Sequence, residues 1–189
     1  KAQKKVEERN FEIRKHLLDY DDVLNEQRST IYNQRDSILV DENLAQRVLN
    51  NAKDLVEDML DEYAHSRRDP NAETEIITKF RDIFGIQLVA EDLQFEKIMS
   101  MLQNDITEKE TLAGKENLNM FIRYQYIQAI DKKWLDQLEA LESLREAVSL
   151  RTYSQKNPLT EYKIEGFNIF YDMLDSIRTT IISRLFKVR

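Results

Sequence analysis

The sequence contains no cysteine, three glycines and two prolines among its 189 residues. The lack of cysteine excludes disulfide bonds and thiolate metal ligands, and it favours a reducing compartment. Glycine and proline interrupt helices more than any other residues, so their scarcity leaves most of the chain free to be helical. Long uncharged apolar runs are also lacking, and the sequence therefore predicts no membrane-spanning segment and no signal peptide.

What the chain does contain favours helices that bury a core. Hydrophobic residues make up 41% of the sequence and charged residues 33%. This apolar fraction is enough for a folded domain, and the frequent Leu, Glu, Lys, Gln and Ala are good helix formers. We therefore expect an all-α fold. Because Lys1 starts inside a helical pattern without a capping residue, we also expect a segment of a longer polypeptide.

The negative charge is concentrated in the middle of the chain. Residues 41–117 carry 18 acidic and 9 basic side chains, whereas residues 1–40 and 118–189 are nearly neutral. Neutralising phosphates requires a concentrated cationic surface. A net charge of -7 therefore argues against a nucleic-acid-binding protein, which remains the least favoured alternative.

Residues 1–40 are predicted to form one long helix. Apolar side chains recur at alternating steps of three and four residues along it. This seam consists of Val6, Ile13, Leu17, Tyr20, Leu24, Ile31 and Ile38, with Asn10, Gln27 and Gln34 filling its gaps. Phe11, Leu18 and Val23 lie off the seam, which indicates packing against more than one neighbour. The alternative is a coiled-coil adaptor that homodimerises through the seam.

Residues 41–117 are predicted to form a small inserted helical subdomain. Helices are expected from Asp41, as N-cap, to about residue 63, from about residue 74 to Gly85, and over residues 91–111. The sequence GIQLVAEDL, which begins at Gly85, could hold a brief strand or an extended turn.

Residues 118–189 are predicted to form an antiparallel two-helix hairpin. Two apolar stripes flank the polar segment LRTYSQKNP at residues 150–158. Asn157 suits the N-cap of the returning helix and Pro158 its first position. Glu161, three residues after Pro158, would complete something like a capping box. Tyr153 would then lie at the tip of the hairpin, where an aromatic ring with a hydroxyl offers a broad binding surface.

Motifs for chemistry are not found. The sequence has neither a phosphate-binding GxxxxGK[ST] loop nor a GxGxxG motif. His16 and His65 lie in different segments without a ligand pattern, so we expect no metal site. Acidic pairs such as Asp21 and Asp22 fall on predicted helices, where they usually solvate a face. We therefore expect a scaffold or interaction role rather than catalysis.

Two blocks of the sequence resemble the SecA family of preprotein translocase ATPases. Residues 2–35, AQKKVEERNFEIRKHLLDYDDVLNEQRSTIYNQR, resemble the start of its helical scaffold domain. LRTYSQKNP resembles the family's LRGYAQKDP, and EYK follows it at residues 161–163. The second block also matches at Trp134, Leu144, Arg145, Phe167, Phe170, Met173 and Leu174. The intervening residues do not match the family residue by residue, which fits its variable helical wing domain.

This resemblance implies a domain organisation and two groups of functional residues. Residues 1–40 would be the long scaffold helix, residues 41–117 the helical wing, and residues 118–189 the two-helix finger. The motor domains would dock on Asn10, Phe11, Arg14, Lys15, Asp21 and Asp22. The finger tip would contact the SecY channel and the unfolded preprotein through Leu150, Arg151, Tyr153, Gln155 and Lys156.

The resemblance also implies how the chain would work. It would link ATP-driven motion of the motor and preprotein-binding domains to movement of preprotein through SecY, from a cytoplasmic position at the inner face of the plasma membrane. No cofactor is expected in this segment, whereas the parent protein would use ATP and Mg. Some positions depart from the family. Thr152 replaces a glycine, which removes an easy positive-φ position, and Gln137 replaces a frequent histidine, so no role is assigned to it.

Overall fold

A computed structural model describes residues 2–66, 69–150 and 157–188 of the chain. Within residues 2–17 it describes the side chains of Glu7, Asn10, Phe11 and Arg14. The described residues form six α-helices, one 3₁₀ turn and no strand, which confirms the all-α prediction. The helices are α1 (Ala2–Val40), α2 (Leu44–Ser66), α3 (Ala72–Phe84), α4 (Phe95–Ala113), α5 (Lys115–Leu150) and α6 (Pro158–Lys187).

The predicted helix ends were partly correct. Gly85 follows α3 with φ of 68°, the left-handed conformation that glycine adopts without strain. Asn157 caps α6, because its side-chain oxygen accepts a hydrogen bond from the backbone N–H of Leu159 at 3.0 Å. The segment after α3 contains a 3₁₀ turn, Ala90–Asp92, rather than a strand.

Asp41 is not the N-cap of α2, contrary to the sequence prediction. Its carboxylate accepts a hydrogen bond from the N–H of Asn43 at 2.8 Å and pairs with Arg47. These contacts hold a turn, and the helix begins at Leu44. The N–H of Leu44 instead donates to the side-chain oxygen of Asn119, on α5, at 2.8 Å. A residue 75 positions away therefore caps α2, which no local sequence signal could indicate.

The helices contribute to two compact units. Unit 1 comprises residues 1–37 and 130–174, and unit 2 comprises residues 38–129 and 175–189. The domain boundaries 1–40, 41–117 and 118–189 that the resemblance implies stay a prediction.

Unit 2 is built around an apolar core. Phe80 stacks on Phe84, whose ring meets Phe186 edge-on at 5.6 Å between centroids. Further fully buried side chains come from α2, α4, α5 and α6, namely Leu44, Ile98, Leu102, Ile122, Ile177 and Ile181. Each fully buried side chain of this size contributes about 1.5–3 kcal/mol to folding. The amphipathic pattern of these helices thus yields a closed core.

The turn between α1 and α2 is fastened to α5 by polar side chains. Asn119 donates from its amide nitrogen to the carbonyl of Asp41, while its oxygen caps Leu44. Arg123 donates to the carbonyl of Asp41 at 2.8 Å, and to that of Ile38 at 3.4 Å. Carbonyls at a helix end lack intrahelical partners. The two side chains therefore supply partners at this turn.

Unit 1 is a layer of three helices. α1 and α5 run in opposite directions, as the pairs Asp21 with Arg145 and Arg35 with Asp131 show. α6 runs parallel to α1, since Tyr20 contacts Tyr162 while Gln27, further along α1, contacts Gly166. The functional residues implied by the resemblance fall largely on this unit.

Candidate functional site in the three-helix layer

A chain of buried amide hydrogen bonds links all three helices of unit 1. Gln137, on α5, donates from Nε2 to the Oε1 of Gln27, on α1, at 3.0 Å. Gln27 donates from its Nε2 to the backbone carbonyl of Gly166, on α6, at 2.9 Å. Gln27 is 6% exposed and Gln137 is 4% exposed. Because unpaired buried amides are unfavourable, this mutual pairing is what makes their burial acceptable.

Gly166, on α6, faces side chains of both α5 and α1. A β-carbon at this position would lie 3.3 Å from Cδ2 of Leu141, 3.8 Å from Cδ2 of Leu144 and 3.9 Å from Cγ1 of Val23. The first distance is shorter than ordinary van der Waals contact. Glycine therefore allows α6 to pack tightly against both neighbours while its carbonyl stays open to the Gln27 amide.

An apolar cluster extends from this point toward the end of α5. Its buried members are Leu141, Leu144, Val148 and Tyr162, and Tyr20, Val23, Leu24 and Ile169 pack against them. The rings of Tyr20 and Tyr162 lie 4.8 Å apart, and the guanidinium of Arg145 lies 5.3 Å from the Tyr20 ring. Burial raises the pKa of the Tyr162 hydroxyl, an effect that the positive charge of Arg145 opposes. The cluster thus joins all three helices near Val148.

Two open grooves flank the cluster. The larger, of about 780 Å³, is lined by apolar side chains that include Leu24, Leu138 and Tyr162 and by the charged side chains of Asp21, Glu142, Arg145 and Glu146. The second, of about 380 Å³, runs between α1 and α6 and includes Val23, Phe167 and Tyr171 beside Asp22 and Glu26. The rings of Phe167 and Tyr171 lie 4.4 Å apart, and both are more than half exposed. Unit 1 therefore leaves apolar surface open on its outer faces.

The residues predicted to dock the motor domains lie along α1. Asn10, Arg14, Asp21 and Asp22 are exposed, and Phe11 is 69% exposed. Asp21 lies 3.8 Å from Arg145, so one of these residues already pairs within unit 1. The side chain of Lys15 lies outside the described ones. The docking role of these six residues stays a prediction.

The residues predicted for the finger tip are largely outside the described part of the chain. Arg151, Tyr153, Gln155 and Lys156 fall within residues 151–156, which the structure does not describe. Leu150, the last residue of α5, is 80% exposed. Its proposed contact with substrate or channel stays a prediction.

No role was predicted for Gln137 from the sequence, although the structure places it between the three helices of unit 1. A signal was present. Residues 130, 134, 137, 141, 144 and 148 follow steps of three and four along α5, and Gln137 is the only polar one among them. Gln27 occupies a similar gap in the seam of α1. Two polar residues at seam positions of two helices can pair with one another, and this match indicates the contact that the structure shows.

Among the helices described, none has a stretch both long enough and apolar enough to cross a membrane. Within the same residues, no group of three or more His, Asp or Glu side chains is placed to hold a metal ion.

Comparison with known proteins gives a consistent result. A family model described as the SecA Wing and Scaffold domain matches residues 1–189. The chain is 56% identical over 201 residues to the Protein translocase subunit SecA of Treponema denticola, and 48% identical over 200 residues to that of Treponema pallidum. It is 38% identical over 197 residues to the corresponding protein of Halothermothrix orenii.

All three matches cover 100% of this chain, but only 22%, 22% and 23% of the respective relatives. The chain thus spans less than a quarter of their length. The resemblance drawn from AQKKV, YDDV and LRTYSQKNP is confirmed, and the chain belongs to the SecA wing and scaffold domain family.

Proposed function

We propose that this chain is the non-catalytic wing and scaffold part of a SecA-type protein translocase subunit. In this role it links ATP-driven motion of the motor domains to movement of unfolded preprotein through the SecY channel. Helices α5 and α6 act as the two-helix finger, and the segment between them contacts the substrate. The packing of α5 against α6 supports this proposal most directly. It occurs near the helix ends that residues 151–157, here called the tip segment, connect.

The contacts between α5 and α6 support a stiff finger. Near the tip segment, Val148 and Tyr162 belong to one buried cluster, and Gly166 approaches Leu141 and Leu144. Separately, within unit 2, Arg184 donates to the side-chain oxygen of Gln125 at 2.9 Å. Within unit 1, Val148 near the end of α5 clusters with Tyr162 near the start of α6, whereas Leu141, earlier in α5, meets Gly166, later in α6, and this is the antiparallel order. Helices packed in this way hold the tip segment between two rigid elements.

The exposed apolar side chains of α1 support a scaffold role. Phe11 and Leu18 are each more than 60% exposed, although long apolar side chains are usually buried. The relatives are more than four times as long as this chain, so further protein could cover these side chains. We propose that the motor domains do so, and that Asn10, Arg14, Lys15, Asp21 and Asp22 complete the interface.

The proposal assigns nucleotide chemistry to other parts of the protein. This chain uses no cofactor of its own, and the parent uses ATP and Mg in its motor domains. The parent lies in the cytoplasm and associates peripherally with the inner face of the plasma membrane through SecY.

The tip residue can be tested in the full-length protein. Tyr153→Ala should lower preprotein translocation into SecY-containing vesicles while leaving the ATPase rate without SecY near normal. Tyr124→Ala serves as the matched control, because Tyr124 is exposed in the first third of α5, far along the helix from the tip segment. Unchanged translocation by the Tyr153 variant would remove the tip from the mechanism.

Docking can be tested on the chain itself. Addition of separately expressed motor domains should shift the NMR signals of Asn10, Phe11, Arg14 and Lys15. Shifts confined to other parts of α1 would contradict this assignment.

Sedimentation distinguishes the scaffold from the homodimeric adaptor. Ile31 is buried within unit 1 and Ile38 within unit 2, so the chain's own helices already cover this end of the α1 seam. The scaffold therefore predicts a monomer, and a stable dimer lost on substituting the seam would favour the adaptor.

A further inference from the structure

We infer that Gln27, Gln137 and Gly166 form a register lock, which fixes the position of α1 along the α5 and α6 pair. Its function is to select one axial alignment of the three helices rather than to add stability. The inference concerns the chain itself and does not depend on the proposed role in translocation.

Apolar seams alone discriminate poorly between alignments. Burial of apolar surface is non-directional, so a seam of Leu, Ile and Val keeps much of its contact area after a shift by one turn. A hydrogen bond is different, because donor and acceptor must remain about 2.7–3.2 Å apart. A shift of α1 by one residue, about 1.5 Å, already breaks both bonds of Gln27. The lock thus adds the directionality that the apolar contacts lack.

The neighbours of Gln137 make other alignments unfavourable. One turn away on the inner face of α5 lie Trp134 on one side and Leu141 on the other, and both are buried. A one-turn shift would place the Gln27 amide beside an apolar side chain, and Gln137 would lose its partner as well. Two buried amides would then be unpaired, which is a strong penalty. Polar pairs at seam positions fix helix register by the same means in coiled coils.

Gly166 fixes the alignment of α1 with α6, because it is the residue of α6 whose carbonyl accepts the Gln27 hydrogen bond. The residues one turn away on α6 are Tyr162 and Phe170, both large and buried. A side chain of that size on the inner face keeps the helix backbone away from a neighbouring helix. Only at Gly166, among these three positions, does the helix carbonyl meet the Gln27 amide, at 2.9 Å. The glycine therefore marks one point along α6 as the acceptor.

The test compares the wild-type chain with Gln27→Leu/Gln137→Leu, in which the seam is fully apolar. Because the chain has no cysteine, spin labels attach only where a cysteine is introduced. One labelled protein carries Asn33→Cys and Glu146→Cys, and a second carries Asn33→Cys and Thr160→Cys. These positions are exposed and lie on α1, α5 and α6. Each label pair is separated by about 13–15 residues along the helix axes, roughly 20 Å, so axial shifts change its distance directly.

The wild-type chain should give one narrow distance for each label pair. The double variant should show a second population displaced by about 5 Å, one helical turn, and its melting temperature should be equal to or higher than that of the wild type. Gln27→Leu alone should melt at a lower temperature, because Gln137 then lacks its acceptor.

Gln34→Leu is the matched control, since Gln34 lies seven residues along the same seam and outside the lock. This variant should keep the single wild-type distances. A double variant with the same single distances would overturn the inference, and so would equal displacement in the control. Failure of the double variant to fold would also overturn it, because the pair would then serve stability and not alignment.

Discussion

The two units bury their side chains in different ways. Among the described residues, ten of the twelve largest fully buried side chains belong to unit 2, and only Ile31 and Ile130 belong to unit 1. Large apolar side chains are exposed in both units, but the aromatic rings among them lie mostly in unit 1, at Phe11, Tyr32, Phe167 and Tyr171, against Tyr124 in unit 2. Unit 2 is therefore closed around its own core. Unit 1 has the composition of a layer that is not completed by its own residues.

Buried polar groups also serve different purposes in the two units. In unit 2, Asn119 bonds to backbone groups of Asp41 and Leu44, where helices end. In unit 1, Gln27 and Gln137 bond to one another in the middle of helices. The first arrangement satisfies groups that any helix end leaves open. The second adds polar groups to a seam that would be apolar without them, so alignment explains it better than stability does.

The largest expected effect is the loss of a core side chain of unit 2. Phe80→Ala should lower the free energy of unfolding by about 3–5 kcal/mol, because it removes a fully buried ring and leaves a cavity. Phe167→Ala in unit 1 should cost less than about 1 kcal/mol, since this ring is already 56% exposed. Urea denaturation followed by circular dichroism would measure both. Equal losses of unfolding free energy would show that the exposed ring of Phe167 contributes to stability as much as a buried core ring does.

The next effect is a dependence of stability on alkaline pH. Tyr126 is buried and accepts a hydrogen bond from Asn51 at 3.1 Å, and burial raises its pKa to about 12. Unfolded tyrosine ionises near pH 10, as model peptides do. Between pH 10 and 12 the folded state therefore binds more protons, so stability is complete below pH 10 and falls as pH rises through 12. The total loss should be about 2–3 kcal/mol.

Urea denaturation of the wild type and Tyr126→Phe at several pH values would isolate this contribution. The variant should lose part of the alkaline decline and, because Asn51 loses its acceptor, should be less stable at neutral pH. Tyr162→Phe in unit 1 should also remove part of the decline, since burial raises the pKa of that hydroxyl as well. Identical pH profiles for Tyr126→Phe and the wild type would contradict the burial of this hydroxyl.

How much the sequence could predict also differs between particular residues. The helices, the glycine cap at Gly85 and the asparagine cap at Asn157 depend on local patterns, and the structure bears them out. The true cap of α2 is Asn119, which is 75 residues distant, and its role depends on tertiary packing alone. The pairing of Gln27 with Gln137 lies between these cases. The sequence shows that both residues occupy seam positions, but whether they face each other depends on how the two helices align.

A third comparison uses one glycine from each unit. Gly85→Ala should cost about 1–2 kcal/mol, because a residue with a β-carbon is strained at φ of 68°. Gly85→Asn should recover much of this loss, since asparagine tolerates that conformation. Gly166→Ala should cost a similar amount, about 1–3 kcal/mol, through crowding against Leu141.

The loss of stability in Gly166→Ala should be recovered by a different change, one that removes the crowding and not the backbone strain. Leu141→Ala added to Gly166→Ala should cost less than it does in the wild type, because it relieves the contact of 3.3 Å. The same Leu141 substitution should give no such relief when combined with Gly85→Ala. Thermal denaturation of the single and double variants would provide the coupling energies. Equal coupling energies for both glycines would contradict the assignment of backbone strain to Gly85→Ala and of crowding against Leu141 to Gly166→Ala.

The smallest effect concerns the long-range cap of α2. Asn119→Ala removes the acceptor of the Leu44 N–H and the donor to the Asp41 carbonyl, and it should cost about 1–2 kcal/mol. Asn117→Ala is the matched control, because Asn117 lies two residues earlier on α5 and is exposed. Its amide donates to the carbonyl of Ala113, four residues earlier, and its side chain is exposed, so this change should cost less than about 0.5 kcal/mol.

Hydrogen exchange separates a lost cap from general destabilisation. The N–H of Leu44 should exchange faster in Asn119→Ala than the amides in the middle of α4, since local fraying begins where a bonding partner is removed. Asn119→Asp keeps an acceptor for Leu44 but loses the donor to Asp41, so it should restore protection at Leu44 more than it restores overall stability. Uniform loss of protection throughout unit 2 in Asn119→Ala would contradict the role of Asn119 as a cap and assign it to general packing.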